Sequence, residues 1–192
     1  VPQDAAMSFP SMNPDAYAWT PVRQWRSEGQ GLDAEAPLVL TVTSSLTRFL
    51  ERRYGMRLEL KLHEQFVDRM RPREAGLLGA AAGEACLRRT VSLLHRKSVM
   101  FDAESILPLA GLPTDLMEEL EAGRNPLGNL LLERGMSLAR SDLSIGYRRE
   151  AGAEPLWARQ SVLRSESGTR ALVIEFFHPE IWRRLGRAER RY

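Results

Sequence analysis

Cysteine is nearly absent from this chain of 192 residues, where Cys86 stands alone. A single cysteine forms no internal disulfide and no cysteine-rich zinc site, so a reducing cytoplasm is the expected compartment. Lysine is almost as scarce: of 27 basic residues, only Lys61 and Lys97 are not arginine. The three histidines, His63, His95 and His178, stand far apart with no metal-type pairing. Each is expected at a surface or a strand end, and no metal site is expected. There is no run of about 18 apolar residues, which excludes a membrane-spanning helix. Residues 1–17 carry no basic region followed by an apolar stretch, so a secretory leader is not expected. A glycine-rich phosphate loop and a GxSxG elbow are missing as well. The formal net charge of +2 is too small to argue for a nucleic-acid partner.

What remains is an ordinary globular composition, 43% hydrophobic, enough for one core. The chain divides into a flexible N-terminal segment (1–17), one domain (18–182) and a basic C-terminal tail (183–192). The tail arginines, including Arg183, Arg184 and Arg187, are expected on solvated surface. Leu38–Thr43 is a short apolar run. Ser44 or Ser45 caps a helix that ends near Gly55. Arg57–Val67 alternates apolar and charged residues, as a half-buried strand does. Asp68–Gly83, with Pro72 and three glycines, reads as irregular. Ala85–Leu94 and Val99–Leu107 are strands joined by a polar turn. Two helices follow, the first begun by Thr114 or Asp115 and closed by Gly123, the second over Asn129–Arg134. Ser137–Arg149, Trp157–Arg164 and Ala171–His178 are three further strands. Short turns between neighbours imply antiparallel pairing, and the fold class is α+β.

Strand phase singles out two charges. In Ala85–Leu94, Arg89 shares a face with Leu87, Val91 and Leu93, while Arg88 lies on the polar face. In Leu172–His178, Glu175 has apolar neighbours on either face. A buried lone charge costs several kcal/mol or is neutralised. Arg89 and Glu175 therefore either pair with each other or line a polar cavity for a small anion. In the second case Arg89 grips a carboxylate with its two-pronged donor geometry. Glu175 then accepts from a hydroxyl or exchanges a proton with it. Cys86 reads as a small buried apolar residue.

Several segments together resemble the chorismate lyase (chorismate pyruvate-lyase) family. Asn125-Pro126-Leu127-Gly128 resembles its PLG motif, and Arg140–Gly146 the strand that follows. Leu156–Arg164 is similar to its LWxRxSxL stretch, and Ile174–Pro179 to its closing strand. Ser45–Phe49 and Leu87-Arg88-Arg89 can be placed upstream. The resemblance spans about residues 38–179 and implies a single α+β domain, an antiparallel sheet whose covering helices enclose an internal ligand cavity. It implies removal of pyruvate from chorismate to leave 4-hydroxybenzoate, without metal or organic cofactor, in ubiquinone or secondary aromatic metabolism. In its terms Arg89 binds the ring carboxylate and Glu175 contacts the ring hydroxyl. Leu46 and Leu127 offer backbone N–H groups to the same carboxylate. The expected partners are chorismate and the aromatic acid product, with the protein a monomer.

One departure stands out. Where the family has an arginine before T-V-V-P, this chain has Glu104. If that arginine serves the second carboxylate, Arg140 or Arg159 would have to replace it. Otherwise the domain binds an aromatic acid with altered specificity or without turnover.

Overall fold

Seven strands form one antiparallel sheet in the computed structural model, which describes residues 12–134 and 139–188. In chain order they are β1 (Ala18–Pro21), β2 (Glu59–Arg69), β3 (Ala85–His95), β4 (Ser98–Pro108), β5 (Ala139–Arg148), β6 (Leu156–Arg164) and β7 (Arg170–Phe177). Across the sheet the order is β1-β5-β6-β7-β4-β3-β2. The central strands β7 and β4 are therefore distant in sequence, and the site described below is built on them.

Among the described residues six α-helices accompany the sheet: α1 (Ala36–Thr41), α2 (Leu46–Tyr54), α3 (Pro72–Leu78), α4 (Thr114–Glu121), α5 (Leu127–Glu133) and α6 (Pro179–Ala188). Each buries an apolar stripe against one face. Val39 and Leu40 of α1, Leu46 and Leu50 of α2, and Ile181 and Leu185 of α6 pack with Val91, Phe101 and Phe177. Leu116 and Leu120 of α4 and Leu127, Leu130 and Leu131 of α5 pack with Leu87, Leu107 and Leu163. On the opposite face, Ala75 and Leu78 of α3 meet Cys86, Ile106, Ile174 and Phe176. None of the described helices is long and apolar enough to cross a membrane.

The architecture is the α+β class read from the sequence, with local differences. The irregular stretch 68–83 is the end of β2 followed by α3. Pro72 opens that helix rather than breaking it, because the first helical residue needs no N–H donor. The Glu74 carboxylate accepts from the Arg71 N–H at 2.9 Å and caps the start. The apolar run at 38–43 is helix α1, begun earlier at Ala36.

The expected domain boundaries fall inside built structure. Pro14–Ala16 is a 3-10 turn, and buried Tyr17 stacks on Phe176. Residues 183–188 continue α6, with Leu185 in the core. Arg184 is only partly exposed: it donates to the His95 carbonyl and to Ser98 Oγ and pins α6 to the β3–β4 turn. That turn places Arg96 and Lys97 at positive φ, as a two-residue hairpin of matching twist requires. The expected start of β5 at Ser137, residues 1–11 and residues 189–192 lie outside the described residues.

Candidate active site

Strand register sets side chains in rows across the helix-covered face. Arg89 of β3 faces Ser105 of β4, which faces Val173 of β7, which faces Ser161 of β6. The next row runs Val91, Ala103, Glu175, Arg159. Beyond it comes an apolar row, Leu93, Phe101, Phe177, Trp157. A cavity of about 50 Å³ opens over these rows, with Arg89, Ala103, Ser105, Arg140 and Glu175 in its wall.

The first turns of two helices close it from above. Ser45, Leu46 and Thr47 of α2 and Leu127 and Gly128 of α5 line the cavity. Leu46 and Leu127 are the first helical residues of their elements, where backbone N–H groups have no partner within the helix. The two helix starts are tied together by Asn129, whose Oδ1 accepts from Ser45 Oγ at 3.2 Å and Thr47 Oγ1 at 3.3 Å.

Arg89 is 1% exposed, and among the described residues no carboxylate pairs with it. It donates to one backbone oxygen, Asn125 O, at 3.2 Å. Burial alone pushes its guanidinium down to about 10. The expected alternative, an Arg89–Glu175 pair, is not formed.

Glu175 pairs instead with Arg159. Nε and Nη2 of Arg159 reach the two carboxylate oxygens at 2.7 and 3.1 Å, a bidentate fork. Arg159 Nη1 donates to Val39 O and Val42 O, at 3.2 and 2.7 Å. Arg159 is fully buried behind Glu175 and does not line the cavity, so it positions the carboxylate. Burial pushes Glu175 up, but attraction to Arg159 and Arg140 and the Arg159 hydrogen bonds outweigh it. The net direction is below the ordinary carboxylate range, so Glu175 is a fixed anionic acceptor.

Arg140 reaches the cavity through a bulge. Between Ser141 and Ser144 strand β5 carries one residue more than β6, which reverses its phase and sets Arg140 on the same face as Ile145. Its Nη1 donates to Ser161 Oγ at 2.7 Å, and its Nη2 lies 3.8 Å from Glu175 Oε1. Burial lowers it to about 10, with Glu175 opposing the shift.

Glu104 lies on the other face. Ala103 and Ser105 line the cavity, so the residue between them points away. There it meets Arg88, which also holds Glu74 and Asp68. Glu104 in place of the family arginine therefore removes no cation from this cavity. On the same far face His63 and His178, expected as unconnected residues, converge on one network. His63 Nε2 bonds Ser92 Oγ at 2.6 Å, Ser92 bonds Asp102, and Asp102 bonds His178 Nε2 at 2.7 Å. Among the described residues no group of three or more His, Cys, Asp or Glu is placed to hold a metal ion.

The sequence reading missed Ser105, Ser161 and the Asn129 clamp. Strand alternation from Arg89 gives the phase of its own strand only, and cross-strand partners depend on register.

The family model described as chorismate lyase matches residues 24–187. The chain is 32% identical over 158 residues to the probable chorismate pyruvate-lyase of Pseudomonas putida, covering 75% of this chain and 86% of that one. It is 31% identical over 147 residues to the probable chorismate pyruvate-lyase of Methylococcus capsulatus, covering 71% and 90%. Among solved structures it resembles the effector domain of PhnF from Mycobacterium smegmatis, with TM-score 0.59 and 16% identity over 71% of this chain and 90% of that one. A GntR-family transcriptional regulator from Bacillus cereus gives TM-score 0.51 and 16% identity over 64% and 92%. These two likenesses are of fold alone. The family match over most of the length, with two relatives above 30% identity, establishes that the chain belongs to the chorismate lyase family.

Proposed function

We propose that the protein converts chorismate to 4-hydroxybenzoate and pyruvate in this cavity. The observation that carries the reading is the charge of the site. Arg89, Arg140 and Arg159 face a single carboxylate, Glu175, which leaves two buried positive charges, and Arg89 has no carboxylate at all among the described residues. Chorismate supplies two carboxylates. An empty site of this kind carries an uncompensated desolvation cost that a dianion offsets.

The ring carboxylate binds Arg89 and the N–H groups of Leu46 and Leu127. The C4 hydroxyl donates to Glu175. Arg89 and Glu175 sit on strands separated only by β4, so their backbones are about 10 Å apart. The reading sets one ring between them, its carboxylate at Arg89 and its hydroxyl at Glu175. The enolpyruvyl ether is on the carbon next to the hydroxyl, so its carboxylate must come near Glu175. Arg140 is the cation at that place.

In the reaction the C3–O ether bond breaks and the C4 hydrogen leaves the ring, which becomes aromatic. The methylene carbon of the departing enolpyruvate gains a proton and pyruvate is released. The step is redox-neutral and its atoms balance without a co-reactant. Arg140 steadies the negative charge that grows on the departing group, and the dry cavity strengthens that interaction. Glu175, kept ionised by Arg159, holds the C4 hydroxyl in one orientation.

Incubation with chorismate tests this, with pyruvate and aromatic products followed by chromatography. Equal amounts of pyruvate and 4-hydroxybenzoate are expected. Tight 4-hydroxybenzoate binding without turnover would overturn the lyase reading and leave an aromatic-acid-binding domain.

A further inference from the structure

The cavity wall holds a hydroxyl with nothing to bond. Ser105 is 4% exposed, it lines the cavity, and among the described residues its side chain has no hydrogen-bond partner. The other hydroxyls of the site are engaged: Ser161 with Arg140, and Ser45 and Thr47 with Asn129. A buried polar group is normally satisfied, and one left open in a ligand cavity points to the ligand. Ser105 is also the direct cross-strand neighbour of Arg89.

We propose that Ser105 is a binding residue whose hydroxyl donates to the carboxylate held by Arg89. This rests on the proposed reading of the site. A ring held between β3 and β7 lies over β4, and the cavity-facing residues of β4 at that place are Ala103 and Ser105. Both are small. Ala103 leaves clearance beside Glu175, and Ser105 leaves clearance beside Arg89 while adding a third kind of donor to the two helix N–H groups and the guanidinium. A carboxylate in this corner is met from the guanidinium, from the backbone and from a hydroxyl on the strand beneath it. A carboxamide of similar shape brings an N–H₂ that meets only donors at the guanidinium and the helix N–H groups, although the Ser105 oxygen can accept from it. The donor-only guanidinium and N–H groups favour the acid, and Ser105 tightens its binding.

The test uses the full chain and calorimetric titration with benzoate and 4-hydroxybenzoate. Ser105→Ala is expected to weaken both by the same factor, about tenfold, as loss of one hydrogen bond to a charged group does. The melting temperature is expected to hold or rise, since an unpartnered buried hydroxyl has been removed. With chorismate, KM rises and kcat changes little. Ser105→Thr and Ser105→Val have the same shape, and Thr is expected to bind benzoate about tenfold more tightly than Val. Unchanged benzoate affinity in Ser105→Ala overturns the proposal, as does a loss accompanied by a fall in melting temperature. Failure of the unaltered protein to bind either acid would instead overturn the reading of the site itself.

Discussion

Two consecutive residues of β3, Arg88 and Arg89, are both buried and have opposite surroundings. Arg88 has three carboxylates: Asp68 at 2.9 Å, Glu74 at 2.8 Å and Glu104 at 2.5 Å. Arg89 has one backbone oxygen. Burial lowers the Arg88 guanidinium, yet its bonds to Glu74, Glu104 and Asp68 reverse the shift and raise it above the usual value. At Arg89 nothing opposes burial, and the guanidinium falls to about 10. The strand pleat alone separates the two. On one face the charge is matched within the protein and fastens α3 and β2 to the sheet. On the other the guanidinium has no carboxylate among the described residues, and the proposed carboxylate site rests on that deficit.

The largest effect that can break this comparison is on stability. Arg88→Met leaves Glu74, Glu104 and Asp68 close together without their cation. Removal of one partner from a buried pair costs about 3–5 kcal/mol, and a loss of that size is expected in urea unfolding. The fraction that stays folded is expected to bind 4-hydroxybenzoate normally. Arg89→Met should do the reverse. It deletes a charged, two-pronged clamp, and affinity is expected to fall about 100-fold or more by calorimetry. Its melting temperature is expected to equal or exceed that of the unaltered protein, because an unpaired buried cation is gone. If Arg89→Met instead unfolds the protein and Arg88→Met abolishes binding, the assignment of the two faces is wrong.

The contrast between these arginines was legible in the sequence, because Leu87, Val91 and Leu93 alternate with Thr90 and Ser92 and so give the phase. Glu175 was legible as a charge with apolar neighbours on either face, although alternation did not give its phase. The partners were not. Arg159 and Glu175 face each other because β6 and β7 pair in one register, and nothing in either strand alone states that register. Arg140 was harder still, since one extra residue in β5 turns it to the cavity side. Glu104 is the instructive case. Read by position in a motif it was a missing cation, but read by pleat it belongs to the Arg88 cluster on the far face. Helix α3 is hidden in a stretch that Pro72 and three glycines make look irregular, although proline at the first helical position favours a start.

Glu175 sharpens the comparison within the cavity itself, since its charge is matched by Arg159 and yet it lines the cavity. Glu175→Gln keeps the shape and an acceptor oxygen but removes the charge. Turnover of chorismate is expected to fall about 100-fold. Benzoate, which has no hydroxyl, is expected to bind within about threefold of normal. Equal losses for turnover and for benzoate affinity would mean that the substitution disturbs Arg159 and the cavity as a whole.

The smallest effect separates burial from charge as the cause of carboxylate behaviour on both faces. At Glu74 and Glu175 burial pushes the carboxyl up, but Arg88 at the first and Arg159 with Arg140 at the second outweigh it, so both sit below the ordinary 4.5. A carboxyl with a lower pKa in the folded state binds fewer protons folded than unfolded. Its stabilising contribution is complete above about 4.5 and disappears only as pH falls through the lower, folded value. From about pH 7 down to about pH 5.5 these two carboxylates should therefore add no slope to thermal melts. The slope expected there is that of His95, whose imidazole burial and Arg184 lower from 6.5 so that stability falls as it is protonated, and that slope is the same in Glu175→Gln. Burial without arginine partners gives the opposite sign, with stability already changing between neutrality and pH 5.5. A slope in that interval that vanishes in Glu175→Gln would show that the Arg159 fork is looser in solution than its 2.7 and 3.1 Å contacts imply.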